Sequence, residues 1–420
     1  MNYFPVIVLC IVFFLIAIRQ IGNIKLQIWQ IMLGGAVFVL LSGSISFHKA
    51  LEAINMDVIL FLFGMFVVGQ SLEESGYLSH ITYKFFKKAK DLNLLLLMIL
   101  FGMGTASAIL MNDTLAIIGT PVVLTLARNH KTSPKALLLA LAFAITIGSV
   151  MSPIGNPQNL LIALHSNIKN PFFVFIKYLA IPTFLNLFVV FVLIKIFYHS
   201  HFHKEVLKHS QEPIKNKNLA ILSKISLILI FIMIGIKILS VIINIGIEIK
   251  LTYIALISAL PVILFSSKRF YILKSVDWAT LVFFASMFVL MQCVWETGFF
   301  QLFFNSNKIT SVPAIFYLSV LLSQFISNVP LVALYLPLLQ HAGAGIKEFM
   351  TLAAGSTIAG NMLILGAASN VIIIQNAEKR GNTITFFEFA KIGIPLTIIN
   401  IFIYYIFLRC VASVIGGSTE

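Results

Sequence analysis

Four short interruptions of otherwise apolar sequence carry the residues whose types could do chemistry. They are Asn112-Asp113-Thr114, the run Gly155-Asn156-Pro157-Gln158-Asn159, Ser327-Asn328-Val329-Pro330, and Gly366 to Asn370, which includes Ser369. Each joins amide or hydroxyl side chains to Gly or Pro, residues that end a helix and turn its backbone towards a ligand. A half-helix N-terminus at such a break offers free N–H groups and a partial positive end to an anion, and the carbonyls at a half-helix C-terminus can hold a cation. Asp113 is the one carboxyl in the four breaks. An ionisable group inside an apolar segment is costly and marks a functional position; a carboxylate there can also cap the half-helix that follows. For any single Asn or Ser the alternative is plain hydrogen bonding between helices.

The elements that must position these breaks are membrane helices. Of 420 residues 59% are hydrophobic and 10% charged, with mean hydropathy +1.00, well above the roughly 45–50% apolar content of soluble domains. Runs of about 20 apolar residues follow one another along the chain, each able to cross a ~30 Å hydrocarbon layer as a helix. That excludes an ordinary soluble enzyme and predicts an all-α polytopic membrane protein. The net charge of +14 sits in short connections between the runs, where membrane topology accounts for it, so nucleic acid is not an expected partner. Cys10, Cys293 and Cys410 are too scattered for a disulfide framework or a metal knuckle. The first run, from about Tyr3 to Ile18, lacks a positive n-region and reads as a retained helix. His199, His201, His203 and His209 could ligate a metal, but no carboxylate or cysteine cluster supports them, and a solvated loop is the better reading. No P-loop and no nucleophile–base constellation appears in the apolar segments, so no enzyme is expected.

The polar stretch from His199 to Lys224 holds five lysines and divides the chain as a cytoplasmic linker. With it inside, 20 of the 29 Lys and Arg fall on the inner side, which supports the orientation. The walk closes only if two segments enter and leave on the same side, broken at Asn112 and at Asn328. The legs there, about 13 residues before Arg128 in the first and about 14 and 10 in the second, predict re-entrant hairpins with tips near mid-membrane.

An internal repeat runs through the same landmarks. Asp57 to Gly76 matches Asp277 to Gly298; Asn112 with Pro121 matches Asn328 with Pro337; Gly155 to Asn159 matches Gly366 to Asn370; and Phe172 to Lys177 with Pro182 matches Phe386 to Lys391 with Pro395. The offsets stay between 211 and 222, and the topology walk puts Asp57 outside and Asp277 inside. The repeats are therefore inverted, the architecture of secondary transporters. The resulting divisions are N-terminal helices in 1–55, a first repeat in 56–198, the linker 199–224, connecting helices in 225–276, and a second repeat in 277–420. Asp57 and Asp277 read as helix caps. Lys177 and Lys391 read as snorkelling side chains.

These motifs, with Met151-Ser152-Pro153-Ile154 ahead of Gly155 and Ser275-Val276-Asp277-Trp278, resemble the signatures of the ion transporter superfamily over nearly the whole chain from about Asp57. The likeness is strongest to its arsenical-pump and citrate-transporter-like branch. It implies a scaffold, a moving transport part with an elevator-like motion, and Na+ or H+ as coupling ion, with Asn112, Asp113 and Asn328 the positions for Na+. Dicarboxylate symporters of that group read Ser-Asn-Thr at both tips. Here Val329 and Pro330 remove a hydroxyl and a backbone donor, and Asp113 adds an acid suited to proton or cation coupling. The expectation is a carrier of a small anion or oxyacid, citrate- or arsenite-like, in the inner membrane, without an organic cofactor. A sodium/proton antiporter of the same fold is the alternative; a channel would need a continuous polar pore. Expected partners are the bilayer and a small-ion substrate, with a homodimer and a cytosolic ATPase subunit left open.

Overall fold

The structure, a computed structural model, describes residues 3–18, 20–21, 24–25, 27–166, 168–199, 214–243, 249–299, 310–326, 328–378 and 380–415. Ser327 and most of the histidine run lie outside the described residues. The N-terminal part forms α1 (Phe4–Ile18), α2 (Ile28–Leu41) and α3 (Phe47–Ala53), with a two-residue antiparallel pairing of Gln20–Ile21 and Ile24–Lys25. Next come α4 (Met56–Ser75), α5 (Tyr77–Phe86), α6 (Leu92–Met98), a π-turn at Ile99–Met103, α7 (Gly104–Leu110) and α8 (Asn112–Asn129). The first repeat closes with α9 (Pro134–Ser149), α10 (Pro157–His165) and α11 (Pro171–Phe197). α12 (Lys217–Ile242), α13 (Leu251–Phe265) and α14 (Arg269–Lys274) lead to α15 (Trp278–Glu296), α16 (Val312–Ile326), α17 (Asn328–His341), α18 (Ile346–Ile358), α19 (Ala368–Glu378) and α20 (Phe386–Ile415).

Local sequence explains where the site helices begin. Ser133, Asn156 and Asn170 each cap a helix whose first residue is Pro, accepting the N–H of Ala136, Asn159 and Phe173; the cap supplies the acceptor and Pro needs no donor there. From Ala136 to Ser149 every residue of α9 is buried, as is every residue of α18 from Phe349 to Ile358. Helices apolar all round belong at the centre of a bundle. α11 and α12 instead expose rows such as Ile181, Leu185, Phe188 and Ile221, Ile225, Ile228. Their spacing puts each row on one helix face, a surface suited to lipid.

The helices sort into two bundles. In one, α4 packs on α13 and α12, and α2 on α15. A Cβ on Gly64 would lie 2.7 Å from the Ala255 carbonyl carbon, so only glycine permits that approach of α4 to α13. In the other bundle, α9 packs on α7 and α8, α18 on α16 and α17, α19 on α8, and α11 on α20.

The structure corrects the sequence reading in two places. The second leg of the first hairpin, α8, is an 18-residue helix rather than one of about 13, while the first leg, Leu92–Leu110, falls where the apolar run placed it. The helix is longer because it takes in the polar residues on both sides of the apolar leg, starting at Asn112 and running through Arg128 to Asn129. The second hairpin keeps its short legs, 15 and 14 residues. Asp57 does not cap α4. Asn55 takes the Val58 N–H at 3.1 Å, while the Asp57 carboxylate accepts from the Thr252 hydroxyl at 2.9 Å and pairs with Lys250 at 3.4 Å, tying α4 to α13. Asp277 does cap α15, through the Thr280 N–H at 3.0 Å.

Candidate functional site: two hairpin tips docked on two helix breaks

In the first repeat the chain turns between α7 and α8 at Met111, which is buried and adopts φ 67°. A side chain there strains the backbone by about 1–3 kcal/mol, tolerated where the surroundings over-determine the turn. The strain places the Asn112 N–H on the Gly155 carbonyl at 2.9 Å, so the hairpin tip is bonded to the break between α9 and α10. The Asn112 side chain, 6% exposed, accepts the Asp113 N–H at 2.9 Å. Asp113 makes no capping bond to α8, and its half-buried carboxylate has no hydrogen bond or ion pair among the described residues. Thr114 packs against Gly69 of α4, where the two bundles touch.

The first break is saturated with hydrogen bonds. The Asn156 oxygen caps α10, and its amide donates to Ser149 Oγ at 2.9 Å and Thr357 Oγ1 at 3.3 Å. The Asn159 amide reaches the carbonyls of Ser149, Val150 and Ser152 at 3.0–3.2 Å, and its oxygen accepts from Thr357 at 3.4 Å. Gln158 also donates to Thr357 at 3.4 Å. Thr357, at the end of α18, thus ties the first break to the second repeat.

The second break spans 359–367, so Ser369 and Asn370 fall on the first turn of α19. The Asn370 amide donates to the Gly360 carbonyl at 2.7 Å, the repeat counterpart of the bond from Asn159 to Ser149. Asn328 and Ala367 pack on Gly360, and Gly366 lies against Gln324. Here the polar oxygens are unfilled. Asn328 Oδ1, Asn361 Oδ1, Asn370 Oδ1, Ser369 Oγ and Gln324 Oε1 are buried and find no hydrogen-bond partner among the described residues. Ala367 stands where the first repeat has Asn156, which removes the cap and cross-link that fill the first break.

The structure therefore gathers Asn112, Asp113, Gly155, Asn156, Gln158 and Asn159 into one cluster and Asn328, Gly366, Ser369 and Asn370 into a second. Sequence reasoning misses Thr357, which meets Asn156, Gln158 and Asn159 across the repeats, and its repeat counterpart Thr146; both are buried. Asn186 and Asn400 of α11 and α20 were also missed; they bond at 2.6 Å across the repeats. Both pairs obey the repeat offsets, 211 and 214, so extending the alignment beyond its most conspicuous motifs finds them.

Two cavities flank the clusters, both between the bundles. One, about 320 Å³, is lined by Asn55, Trp295, His165, Pro337, Gln340 and His341 among others. The other, about 900 Å³, is lined by Glu73, Ile117, Pro121, Thr125, Arg128 and Asn376 among others. The offset that carries Asn112 to Asn328 carries Ile117, Pro121, Leu124 and Thr125 onto Ala333, Pro337, Gln340 and His341, and the offset of the breaks carries His165 onto Asn376. The cavities are thus repeat mates. One sits at the Asn55 end of α4 and the other at its Glu73 end, ~30 Å apart for a 20-residue helix, as inverted repeats require.

Inverted repeats with paired hairpins and broken helices define a membrane transporter. The chain belongs to the citrate transporter family, whose model matches residues 11–348. It is 25% identical to the uncharacterized transporter Rv2684 of Mycobacterium tuberculosis over 96% of this chain and 97% of that protein. It is also 25% identical to the silicon efflux transporter LSI3 of Oryza sativa subsp. japonica, over 87% and 89% of the two chains. Among solved structures, the fold resembles the Alcanivorax borkumensis YdaH transporter (TM-score 0.60, 13% identity, 99% and 97% coverage). It also resembles Neisseria gonorrhoeae MtrF (TM-score 0.56, 13% identity, 96% and 93% coverage).

Proposed function

We propose that the protein is a secondary active carrier in the cytoplasmic membrane that moves a small anion or oxyacid, of the citrate, dicarboxylate or arsenite type, coupled to a gradient of Na+ or H+. The observation that carries this reading is the contrast between the two breaks. The first is filled by its own amides, whereas the second holds five buried oxygens without donors among the described residues, and a hard cation is recognised by such oxygens. Na+ is assigned to that second break, near Asn328 and Asn370. Asp113, at the first tip, is the group able to carry a proton, since its carboxylate is committed to no other side chain among the described residues. The bundle of α6–α11 and α16–α20 then carries both clusters past the scaffold in an elevator-like motion, with Gly69 leaving room for Thr114 at the sliding contact. Substrate chemistry is suggested by the family's description and by the silicon exporter among the relatives. Exchange of sodium for protons without an anion is a second reading, favoured by Asp113 alone.

The test is uptake into proteoliposomes of citrate, a dicarboxylate and arsenite under imposed Na+ or H+ gradients. Wild-type protein should concentrate at least one of them under a gradient. Asn370→Ala should lose the Na+ dependence and Asp113→Asn the H+ dependence, because Asn keeps the shape and polarity of Asp but cannot titrate. Uptake of every solute at equal rates with and without gradients would overturn the reading.

A further inference from the structure

The larger cavity differs from its repeat mate in charge. Arg128, Lys131, Lys215 and Arg380 line it against one carboxylate, Glu73, a formal balance of four positive charges to one negative. The cations come from three separate segments. Arg128 and Lys131 stand at the end of α8, Arg380 follows α19, and Lys215 belongs to the stretch whose backbone N–H binds the Ser75 carbonyl at 3.0 Å and so fastens it to the end of α4. Glu73 lies within the electrostatic reach of both Lys215 and Arg380, one from each side of the gap. Like charges converge here although each side chain had solvent to point into, and all four are exposed to it.

A concave site of one sign between low-dielectric walls concentrates counter-ions, and guanidinium groups match the paired oxygens of carboxylates, phosphates and sulfates. We propose that this vestibule is a binding site for a multivalent oxyanion, separate from the hairpin tips, with Arg128 and Arg380 holding it from one bundle and Lys215 from the other. Glu73 is the counter-charge that the anion displaces. Arg128 is sixteen residues beyond Asn112, about 24 Å along α8, so one small anion cannot touch both. The wall between them is continuous, since Asp113, Ile117 and Pro121 recur every four residues on one face. An anion bound here waits at the entrance of the route to the tip and bridges the two bundles.

The experiment is calorimetric titration of the full chain in nanodiscs of zwitterionic lipid with citrate, sulfate and chloride. Citrate should bind more tightly than sulfate and sulfate more tightly than chloride, with affinity falling as salt is raised. Arg128→Gln combined with Arg380→Gln should weaken citrate at least tenfold, while Asn370→Ala should leave this binding in place. Citrate binding that survives the double variant but disappears in Asn370→Ala would overturn the proposal. So would binding abolished by adding acidic lipid, which would assign the cations to a phospholipid phosphate. Failure of gradient-driven uptake would instead strike at the carrier reading and leave this measurement intact.

Discussion

At the Asn55 end of α4 the gap between the bundles is about 320 Å³ and is crossed by side chains. Asn55 donates to His165 Nε2 at 3.1 Å, and the Trp295 ring packs on His341 at 5.0 Å between centroids. At the Glu73 end the equivalent wall, one repeat away, borders about 900 Å³ ringed by cations. Walls of matched origin closed to different degrees are what alternating access requires of an inverted repeat: one end is latched while the other admits solvent. The same inequality recurs at the centre, where the first break is cross-linked and the second is not. The molecule thus uses its symmetry for architecture and departs from it at the positions where an ion and a substrate would enter.

Removing the cross-link should cost most. Asn156→Ala loses the cap on α10 and the bonds to Ser149 and Thr357, about 1–3 kcal/mol from the cap and the partners left buried without bonds. Thermal unfolding in detergent should show a clear drop, larger than that of Asn370→Ala, which gives up only the bond to Gly360. Equal losses would mean that the two breaks are not energetically distinct.

A smaller effect is expected at the latch. His165 Nδ1 donates to the Leu161 carbonyl at 2.9 Å, which leaves Nε2 as acceptor for the Asn55 amide. The Asn55 oxygen already serves the Val58 N–H, so the amide is the group that meets His165. His165→Ala should therefore raise the reactivity of a cysteine placed at Gln340 a few-fold towards a membrane-impermeant maleimide. Unchanged labelling would dissociate the latch from the size of the gap.

Much of this arrangement was legible in the sequence. The paired Asn–Pro spacings located both hairpin tips, and the breaks followed from Gly155 and Gly366 because helix-ending residues leave a local mark. Hydropathy was a poorer guide to where a helical leg ends, since α8 carries its last turn through Arg128 and Asn129. Thr357 was invisible for a different reason: a lone threonine in an apolar helix has no local signature, and its importance comes from the three amides that the fold brings to it. Asp57 resembles a cap in the sequence because its distant partners, Thr252 and Lys250, leave no trace in the neighbouring residues.

The central claim is that the two cavities are repeat-related ends of one interface, open to opposite sides of the membrane. Single cysteines at Thr125 and Gln340, in a background lacking Cys10, Cys293 and Cys410, can be labelled with an impermeant maleimide in right-side-out and inside-out vesicles. The account predicts that Thr125→Cys reacts from the cytoplasmic side and Gln340→Cys from the opposite side, with the cytoplasmic position the faster of the two. Labelling of both positions from the same side would contradict the inverted arrangement and the carrier mechanism built on it.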